Sequence, residues 1–330
     1  MALTWVAISI WVFILLVVGY VSPFIKDQRK ARLIAWIIAI APALFSTFIS
    51  VNQPPLMRMV IIVVLQLLSM KILVVVETYS GANRLTPIQW TAFSLGWFGM
   101  RPALFERLPN SPLPFTHILR KGISRVVIGI ILLYLSMLLG NHFAAEKIFL
   151  PQLLLLVGLS LILHFGILNL CTAFWRSFGV NVSELFQAPY KSKSLKEFWG
   201  KRWNIAFSEM TTLIAYRPLK TKVGIEKALI ISFLLSGLLH EVAISIPVMA
   251  GFGLPMIYFV IHAFAMHLEA HSVFLQKLLQ RKWLAHIWVM SLLIIPMPLL
   301  FHRDFIGHVL VPLRTLILQS CHLLGVTPFH

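Results

Sequence analysis

The feature that most constrains this chain is a series of long apolar runs separated by short clusters of charge. Residues 3–21, 57–76 and 227–249 are examples with few charged side chains. A helix of about 20 residues crosses the hydrocarbon core of a bilayer, where only helices or closed barrels satisfy the backbone. Because the runs are continuous rather than alternating, they indicate helices. With 59% hydrophobic residues, the sequence predicts an all-α, polytopic integral membrane protein.

We predict nine membrane-spanning helices that form a single membrane domain over residues 1–330. They are expected at residues 3–21, 33–50, 57–76, 126–140, 150–174, 227–249, 254–272, 283–301 and 305–324, and the fourth could begin near Ile118. The first run lacks the basic segment and the cleavage site of a signal peptide, so we expect it to be a retained span. Cys171 and Cys321 both lie in apolar runs, which argues against a disulfide framework.

The distribution of basic residues predicts an orientation with the N-terminus outside and the C-terminus inside. In that orientation 23 of the 28 Lys and Arg residues fall in, or at the edge of, the cytoplasmic loops 22–32, 77–125, 175–226 and 273–282. Only Arg58, Lys147 and Arg303 fall in the opposite loops. Positive charge concentrates in cytoplasmic loops, so the net charge of +17 needs no nucleic-acid partner. The two long loops combine aromatic and basic residues, which predicts cytoplasmic interfacial helices.

The pair His240–Glu241 places ionisable side chains deep within a predicted span. His240 lies about 20 Å along the helix from Lys227, where a charge costs about 2.5–3.5 kcal/mol. A neutral histidine in such a site is a good general base, although a structural hydrogen bond would also explain it. Glu241 points about 100° away from His240, so it could pair with another span or be structural. Ser236 and Gly237 would allow a helix or a substrate to approach closely.

A second candidate feature is the aromatic and basic stretch from Phe198 to Asn204, which reads Phe-Trp-Gly-Lys-Arg-Trp-Asn. Its Lys201 and Arg202 could bind anionic headgroups or phosphates. Asn204 offers an amide that both donates and accepts hydrogen bonds. Taken alone, the stretch is better explained as a segment that anchors the chain at the lipid surface.

The remaining histidines give weaker signals. His267 and His271 are four residues apart, a spacing that could bind metal, but the order His-x-Glu-x-His is not the zinc-protease motif. We therefore predict no metal site. His262 lies mid-span and could face the same cavity as His240. His164 is alone in an apolar span and is expected to be structural.

Taken together, the two features resemble the wax synthase-like branch of the membrane-bound O-acyltransferase (MBOAT) superfamily. The residues that carry the resemblance are Phe198–Asn204 and Ser236–Glu241. Phe259–His262 is similar to a further, looser family feature, and Trp97–Pro102 is similar to the upstream region. The resemblance covers roughly residues 85–272.

The resemblance implies an MBOAT-like fold and acyl transfer from acyl-coenzyme A to a hydroxyl acceptor. A long-chain fatty alcohol is the leading acceptor, which would make the reaction wax ester synthesis. His240 is implied as the catalytic base and Asn204 as an assisting residue. The expected substrate-binding residues are Trp199, Lys201, Arg202, Trp203, Ser236, Glu241 and His262. Acyl-coenzyme A is then a co-substrate, and no cofactor or metal is required.

Alternatives remain open at this point. The same chemistry could act on a sterol, a diacylglycerol or another alcohol. A lipid or small-molecule transporter would also carry intramembrane His and Glu, but it would be expected to show broken spans or repeated halves. A third hypothesis is a membrane scaffold without catalytic activity. The expected partners are acyl-coenzyme A, a lipid alcohol and membrane lipids. The expected location is the endoplasmic reticulum membrane of a eukaryote or the inner membrane of a bacterium.

Overall fold

The computed structural model describes residues 2–79, 81–82, 84–142 and 149–323. All regular secondary structure within these residues is helical, which confirms the prediction of an all-α protein. Lys147, residue 324 at the end of the last predicted span, and the side chain of Cys321 lie outside what is described.

The helices range from single turns to seven turns in length. They are α1 (Ala2–Val21), α2 (Gln28–Ile49), α3 (Pro55–Thr78), α4 (Pro87–Gly96), α5 (Thr116–His142), α6 (Phe149–Ser160), α7 (Leu168–Ser177), α8 (Leu195–Glu197), α9 (Ile205–Thr211), α10 (Arg217–Val223), α11 (Ile225–His240), α12 (Ile246–Val248), α13 (Leu254–His271), α14 (Val273–Leu278), α15 (Lys282–Ile294), α16 (Met297–Leu300), α17 (Arg303–Phe305) and α18 (Val311–Leu323). Wider π-helical turns occupy Leu161–Ile167, Phe198–Arg202, Thr212–Tyr216, Glu241–Ser245 and Ile306–Leu310.

Seven helices among the described residues are long and apolar enough to cross a membrane. They are Thr4–Phe24, Gln28–Ile49, Pro55–Thr78, Thr116–Gly140, Leu150–Ser177, Ile225–Val248 and Lys282–Leu300. This finding is consistent with a polytopic membrane protein. The other two predicted spans are also helical, in α13 and in residues 303–323. These two helices are less apolar than the seven. In α13 the reason is the presence of three histidines and Glu269.

Two helices begin earlier than the apolar runs indicated, because hydropathy marks only the apolar part of a helix. The fourth predicted span, 126–140, belongs to a helix that begins at Thr116, close to the alternative start near Ile118. Similarly, α2 begins at Gln28 rather than residue 33. Asp27 sets that start by accepting hydrogen bonds from the amides of Arg29 and Lys30, a common way to cap a helix N-terminus.

The chain forms two compact units that alternate along the sequence. The first unit combines residues 1–106 with 187–305, and the second combines residues 107–186 with the residues from 306 onwards. The sequence-based expectation of a single membrane domain remains a prediction. All of the predicted catalytic and substrate-binding residues lie in the first unit.

In the second unit, α5 and α6 pack closely at two glycines. A Cβ atom added to Gly158 would lie 3.0 Å from the carbonyl oxygen of Gly129, so the two backbones nearly touch, as small residues allow in membrane helices. Lys121 forms an ion pair with Glu184 at 2.5 Å, and Asn169 also donates to this carboxylate. These contacts connect the helices of the unit to the segment after α7.

The helix α3 is central to the first unit. Every residue from Leu68 to Val76 is buried, so this part of the helix is enclosed on all sides. Apolar side chains gain little by leaving lipid for a protein interior, so helix association in membranes depends on packing and on hydrogen bonds. Two polar side chains of α3 supply such bonds: Arg58 donates to the carbonyl of Pro247 and Gln66 to that of Leu239.

Lys71 supplies the third polar connection from α3. Its side chain is fully buried, and its ammonium group donates to the carbonyl oxygens of Phe93, Trp97 and Gly99 at 3.2, 2.9 and 2.5 Å. The ammonium also lies 3.8 Å from the centre of the Phe93 ring, a cation–π contact. A single lysine therefore fixes the end of α4 and the following loop against α3.

We predict that Lys71→Met destabilises the protein, because three buried carbonyls lose their donor. Each buried group left unsatisfied costs about 1–3 kcal/mol, so the thermal midpoint of the detergent-solubilised protein should fall clearly. The matched control is Lys30→Met, since Lys30 is exposed, and it should leave the midpoint unchanged. Equal midpoints for both variants would contradict the structural role of Lys71.

Candidate active site

His240 is the last residue of α11, at the point where the helix widens into the π turn Glu241–Ser245. Such turns occur frequently at functional sites. Nδ1 of His240 lies 2.7 Å from the carbonyl oxygen of Ser236. Because a carbonyl only accepts hydrogen bonds, Nδ1 carries the proton and Nε2 carries the lone pair. The imidazole is thereby held in the tautomer that a general base acting through Nε2 needs.

Two phenylalanine rings border the His240 imidazole. The ring centre of Phe259, from α13, lies 4.4 Å away, and that of Phe207, from α9, lies 5.8 Å away. His240 itself is partly exposed. An imidazole between apolar rings keeps its neutral form, which is the form that accepts a proton.

Ser236 and Gly237 bring α11 close to its neighbours, as their small size predicts. Ser236 is buried and donates from its hydroxyl to the carbonyl of Ser232 at 2.9 Å. A Cβ atom added to Gly237 would lie 2.6 Å from the sulfur and 3.2 Å from the Cα of Met256. The helix that approaches at this point is α13.

Glu241 contacts the next helix rather than His240. Its Oε1 accepts hydrogen bonds from the amides of Gly253 and Met256 at 2.9 and 3.0 Å, at the N-terminus of α13. A carboxylate is favourable there, because the first amides of a helix have no partner within it. Oε2 is buried without a partner among the described residues. This geometry makes Glu241 the connection between the turn after His240 and α13.

The stretch Phe198–Asn204 folds into a π turn that is stabilised from within. Arg202 forms an ion pair with Glu197 at 2.7 Å, and the ring of Trp203 stacks on Phe198 at 5.5 Å. A hydrogen bond from the Lys193 amide, together with Arg202, holds the pKa of the Glu197 carboxyl below its usual value. The aromatic and basic residues of this stretch therefore form a defined structure.

The two basic residues predicted to bind phosphates have different environments. Arg202 is engaged with Glu197 and donates to the carbonyl of Gln187 at 3.0 Å. Lys201 is exposed and forms no ion pair within the described part of the chain. Of the two, Lys201 offers the charge that an incoming anion can reach.

Asn204 adopts a left-handed backbone conformation, with φ of 41° and ψ of 61°, which asparagine tolerates better than most residues. Its side-chain oxygen accepts a hydrogen bond from the amide of Phe207 at 3.2 Å, so Asn204 caps α9. Phe207 in turn contacts the His240 ring. The described contacts thus connect Asn204 to His240 through one intervening side chain.

His262 and Trp199, whose rings are neighbours, carry an unpaired acceptor and an unpaired donor. His262 is fully buried, and its Nδ1 donates to the carbonyl of Tyr258 at 2.8 Å, which leaves the lone pair on Nε2. Neither this Nε2 nor Nε1 of Trp199 has a partner among the described residues, although both atoms are buried. The two rings lie 5.3 Å apart at 86°. Trp199 also contacts Phe259, the neighbour of His240.

Glu269 positions this stretch, and the sequence analysis gave it no such role. Its carboxylate accepts from the amide of Leu195 at 2.9 and 3.1 Å and from the indole of Trp288 at 3.0 Å. It thereby fixes the residues just before Phe198 against α13 and α15. The one feature of the sequence that could have indicated this role is an acidic residue within a predicted span. The partners of Glu269 could not be inferred, because they are distant in sequence.

Arg101 connects the upstream segment to the same region. It forms an ion pair with Glu209 of α9 at 2.7 Å. Burial raises the pKa of Glu209, and the guanidinium of Arg101 opposes that change. The segment Trp97–Pro102, which the sequence resemblance included, therefore contacts the helix that Asn204 caps.

Residues 182–261 match the family model described as the membrane bound O-acyl transferase family, and this segment includes both sequence motifs. The chain is 33% identical over 72 residues to a long-chain-alcohol O-fatty-acyltransferase of Simmondsia chinensis, covering 19% of this chain and 20% of that protein. It is 25% identical over 150 residues to the probable long-chain-alcohol O-fatty-acyltransferase 9 of Arabidopsis thaliana, covering 42% of each. The chain thus spans less than half the length of either relative. These findings confirm the resemblance to the wax synthase-like branch.

We predict that Glu269→Ala loosens residues 195–204, because their hydrogen-bonded connection to α13 is lost. Hydrogen–deuterium exchange of the detergent-solubilised protein should become faster in this stretch. The exchange rate of Glu269→Gln should lie between those of the wild type and Glu269→Ala. Asp27→Ala is the matched control, because Asp27 also accepts backbone hydrogen bonds; it should raise exchange only at the start of α2. Unchanged exchange of residues 195–204 in Glu269→Ala would show that this carboxylate does not position them.

Proposed function

We propose that this protein is a membrane-bound O-acyltransferase that moves a fatty acyl group from acyl-coenzyme A to the hydroxyl group of a long-chain fatty alcohol. The observation that carries the proposal is the geometry of His240, whose Nδ1 is fixed on the Ser236 carbonyl inside the segment that matches the acyltransferase family. The relatives are named for the transfer of fatty acyl groups to long-chain alcohols, which supports the choice of acceptor.

In the proposed reaction, His240 acts as the general base. Nε2 takes the proton of the acceptor hydroxyl as its oxygen attacks the thioester carbonyl. The tetrahedral intermediate then collapses, the C–S bond breaks, and the imidazolium returns the proton to the coenzyme A thiolate. An ester and free coenzyme A result. The chemistry involves no covalent acyl-enzyme, no metal and no cofactor.

Asn204 is proposed to stabilise the oxyanion of that intermediate. Its cap on α9 uses only the amide oxygen, so the amide nitrogen can donate to the developing charge. A donor of this kind typically contributes about 2.7–4 kcal/mol to the barrier reduction.

The remaining predicted residues are proposed to hold the substrates. A substrate hydroxyl group could accept a hydrogen bond from Nε1 of Trp199 and donate one to Nε2 of His262. Lys201, with Arg202 beside it, attracts the coenzyme A phosphates. Trp203, Ser236 and Glu241 shape and orient the site. Each buried methylene of the acyl chain contributes about 0.8 kcal/mol relative to water.

The proposed topology has nine spans, with the N-terminus outside, the C-terminus inside, and interfacial helices in the cytoplasmic loops 77–125 and 175–226. The two further spans are α13 and residues 303–323. This topology is supported by the distribution of basic residues, and it would present Lys201 to cytoplasmic acyl-coenzyme A. The host membrane would be the endoplasmic reticulum in a eukaryote or the inner membrane in a bacterium.

We predict that the purified protein forms ester from labelled palmitoyl-coenzyme A and a long-chain alcohol, and that His240→Ala lowers the rate by about 10²–10⁴-fold, the usual contribution of a general base. A sterol and a diacylglycerol should be tested as competing acceptors. His286→Ala is the control, since His286 is exposed on α15, and it should remain active. If folded protein consumes no thioester with any acceptor, the proposal fails and a transporter becomes the better explanation.

Asn204→Asp separates the two roles of Asn204. Aspartate also caps helices and tolerates the left-handed conformation, so α9 should keep its start, but its carboxylate cannot donate to an oxyanion. We expect ester formation to fall by about 10²-fold or more while the thermal midpoint is retained. An active Asn204→Asp enzyme would show that Asn204 serves only as a helix cap.

A further inference from the structure

A cluster of side chains of the types that bind metal ions lies outside the candidate active site. It is found where the first turn of α11 meets the last turns of α13. Glu226 belongs to α11, and His267 and His271 lie one turn apart on α13. Nε2 of His271 is 2.8 Å from Oε1 of Glu226, and Nδ1 of His267 is 3.7 Å from its Oε2. The three ligand atoms all lie within 4.8 Å of one another.

The tautomer of His271 makes this cluster more than an ordinary surface contact. Nδ1 of His271 donates to the carbonyl of His267 at 2.9 Å, so in the neutral ring Nε2 carries a lone pair. That lone pair faces a carboxylate oxygen at 2.8 Å. Two acceptors at this separation repel each other unless a positive charge lies between them, either a proton or a metal ion.

Contrary to the sequence-based expectation of no metal site, we propose that Glu226, His267 and His271 bind a divalent transition-metal ion of the zinc class. Zinc takes imidazole nitrogen at about 2.0–2.1 Å and carboxylate oxygen at about 2.0–2.2 Å, which places tetrahedral ligands about 3.4 Å apart. The distances of 2.8 and 3.7 Å bracket that value. Mg²⁺ and Ca²⁺ prefer all-oxygen sites, so two imidazoles select against them.

The side chains are accessible to an ion from solvent. The exposed fraction of the side chain is 42% for His267, 50% for His271 and 57% for Glu226. This exposure leaves room for water as a fourth ligand. The rings of the two histidines stack at 4.3 Å, and one ring nitrogen of each lies within 4 Å of the Glu226 carboxylate.

The metal would join the two helices that border the candidate site. Glu226 lies about 21 Å along α11 from His240, at 1.5 Å per residue, so the ion takes no part in chemistry at His240. It would instead fix the start of α11 against the end of α13, the helix that carries Phe259 and His262. The inference does not depend on the acyltransferase proposal.

The test is a titration of the chelator-treated, full-length protein in detergent with Co²⁺, whose visible absorption reports tetrahedral binding. We expect one saturable Co²⁺ per chain that Zn²⁺ displaces. Glu226→Gln, His267→Ala and His271→Ala should each weaken binding at least about tenfold, since loss of outer-shell partners alone costs about 10–100-fold. His286→Ala, which removes an exposed histidine elsewhere, should bind as the wild type does.

Either of two results would overturn the inference. One is the absence of saturable binding, which would mean that a proton alone bridges Glu226 and His271. The other is unchanged binding in all three ligand variants, which would assign the metal to other histidines. Size-exclusion chromatography of each variant separates loss of the site from loss of the fold.

Discussion

Three polar side chains on α3 provide the hydrogen bonds on which the first unit depends. Within lipid, apolar surfaces gain little by meeting each other, so buried donors have a large effect on which helices pair. Arg58, Gln66 and Lys71 all donate to backbone carbonyls of other elements. The acceptor of Gln66 is Leu239, the residue just before His240. The helix that organises the unit therefore also fixes the end of the helix that carries the proposed base.

Three histidines of this protein share one local hydrogen-bonding arrangement. In His240, His262 and His271, Nδ1 lies within 2.9 Å of the carbonyl oxygen of the residue four positions earlier. The helix backbone therefore selects the tautomer and presents the lone pair of Nε2 to the surroundings. The chemistry open to each histidine then depends on the surroundings of its ring. His240 lies in a partly exposed region, His262 lies near an unpaired indole, and His271 lies beside a carboxylate.

The sequence predicted those features that depend on local composition. Apolar runs located the membrane helices, and an ionisable residue in a span identified His240. The small size of Gly237 predicted the close approach of a helix or a substrate, and the structure places α13 there. The bonds from Leu195 to Glu269 and from His271 to Glu226 could not be predicted, because they join residues that are distant in sequence. The early start of α2 at Gln28 was missed because its first turns carry charge, which lowers hydropathy without preventing a helix. The roles of His240, Asn204 and Lys201 remain predictions.

The π turn that follows His240 has a consequence for how the chain tolerates changes in length. Glu241–Ser245 holds one more residue than a regular turn. Deleting a single residue there would restore an ordinary α-helix, and each residue in such a helix turns the chain by about 100°. His240 would then rotate relative to α12 and lose its place beside Phe259. Sequences with related activity are therefore expected to differ here by substitution more readily than by insertion or deletion.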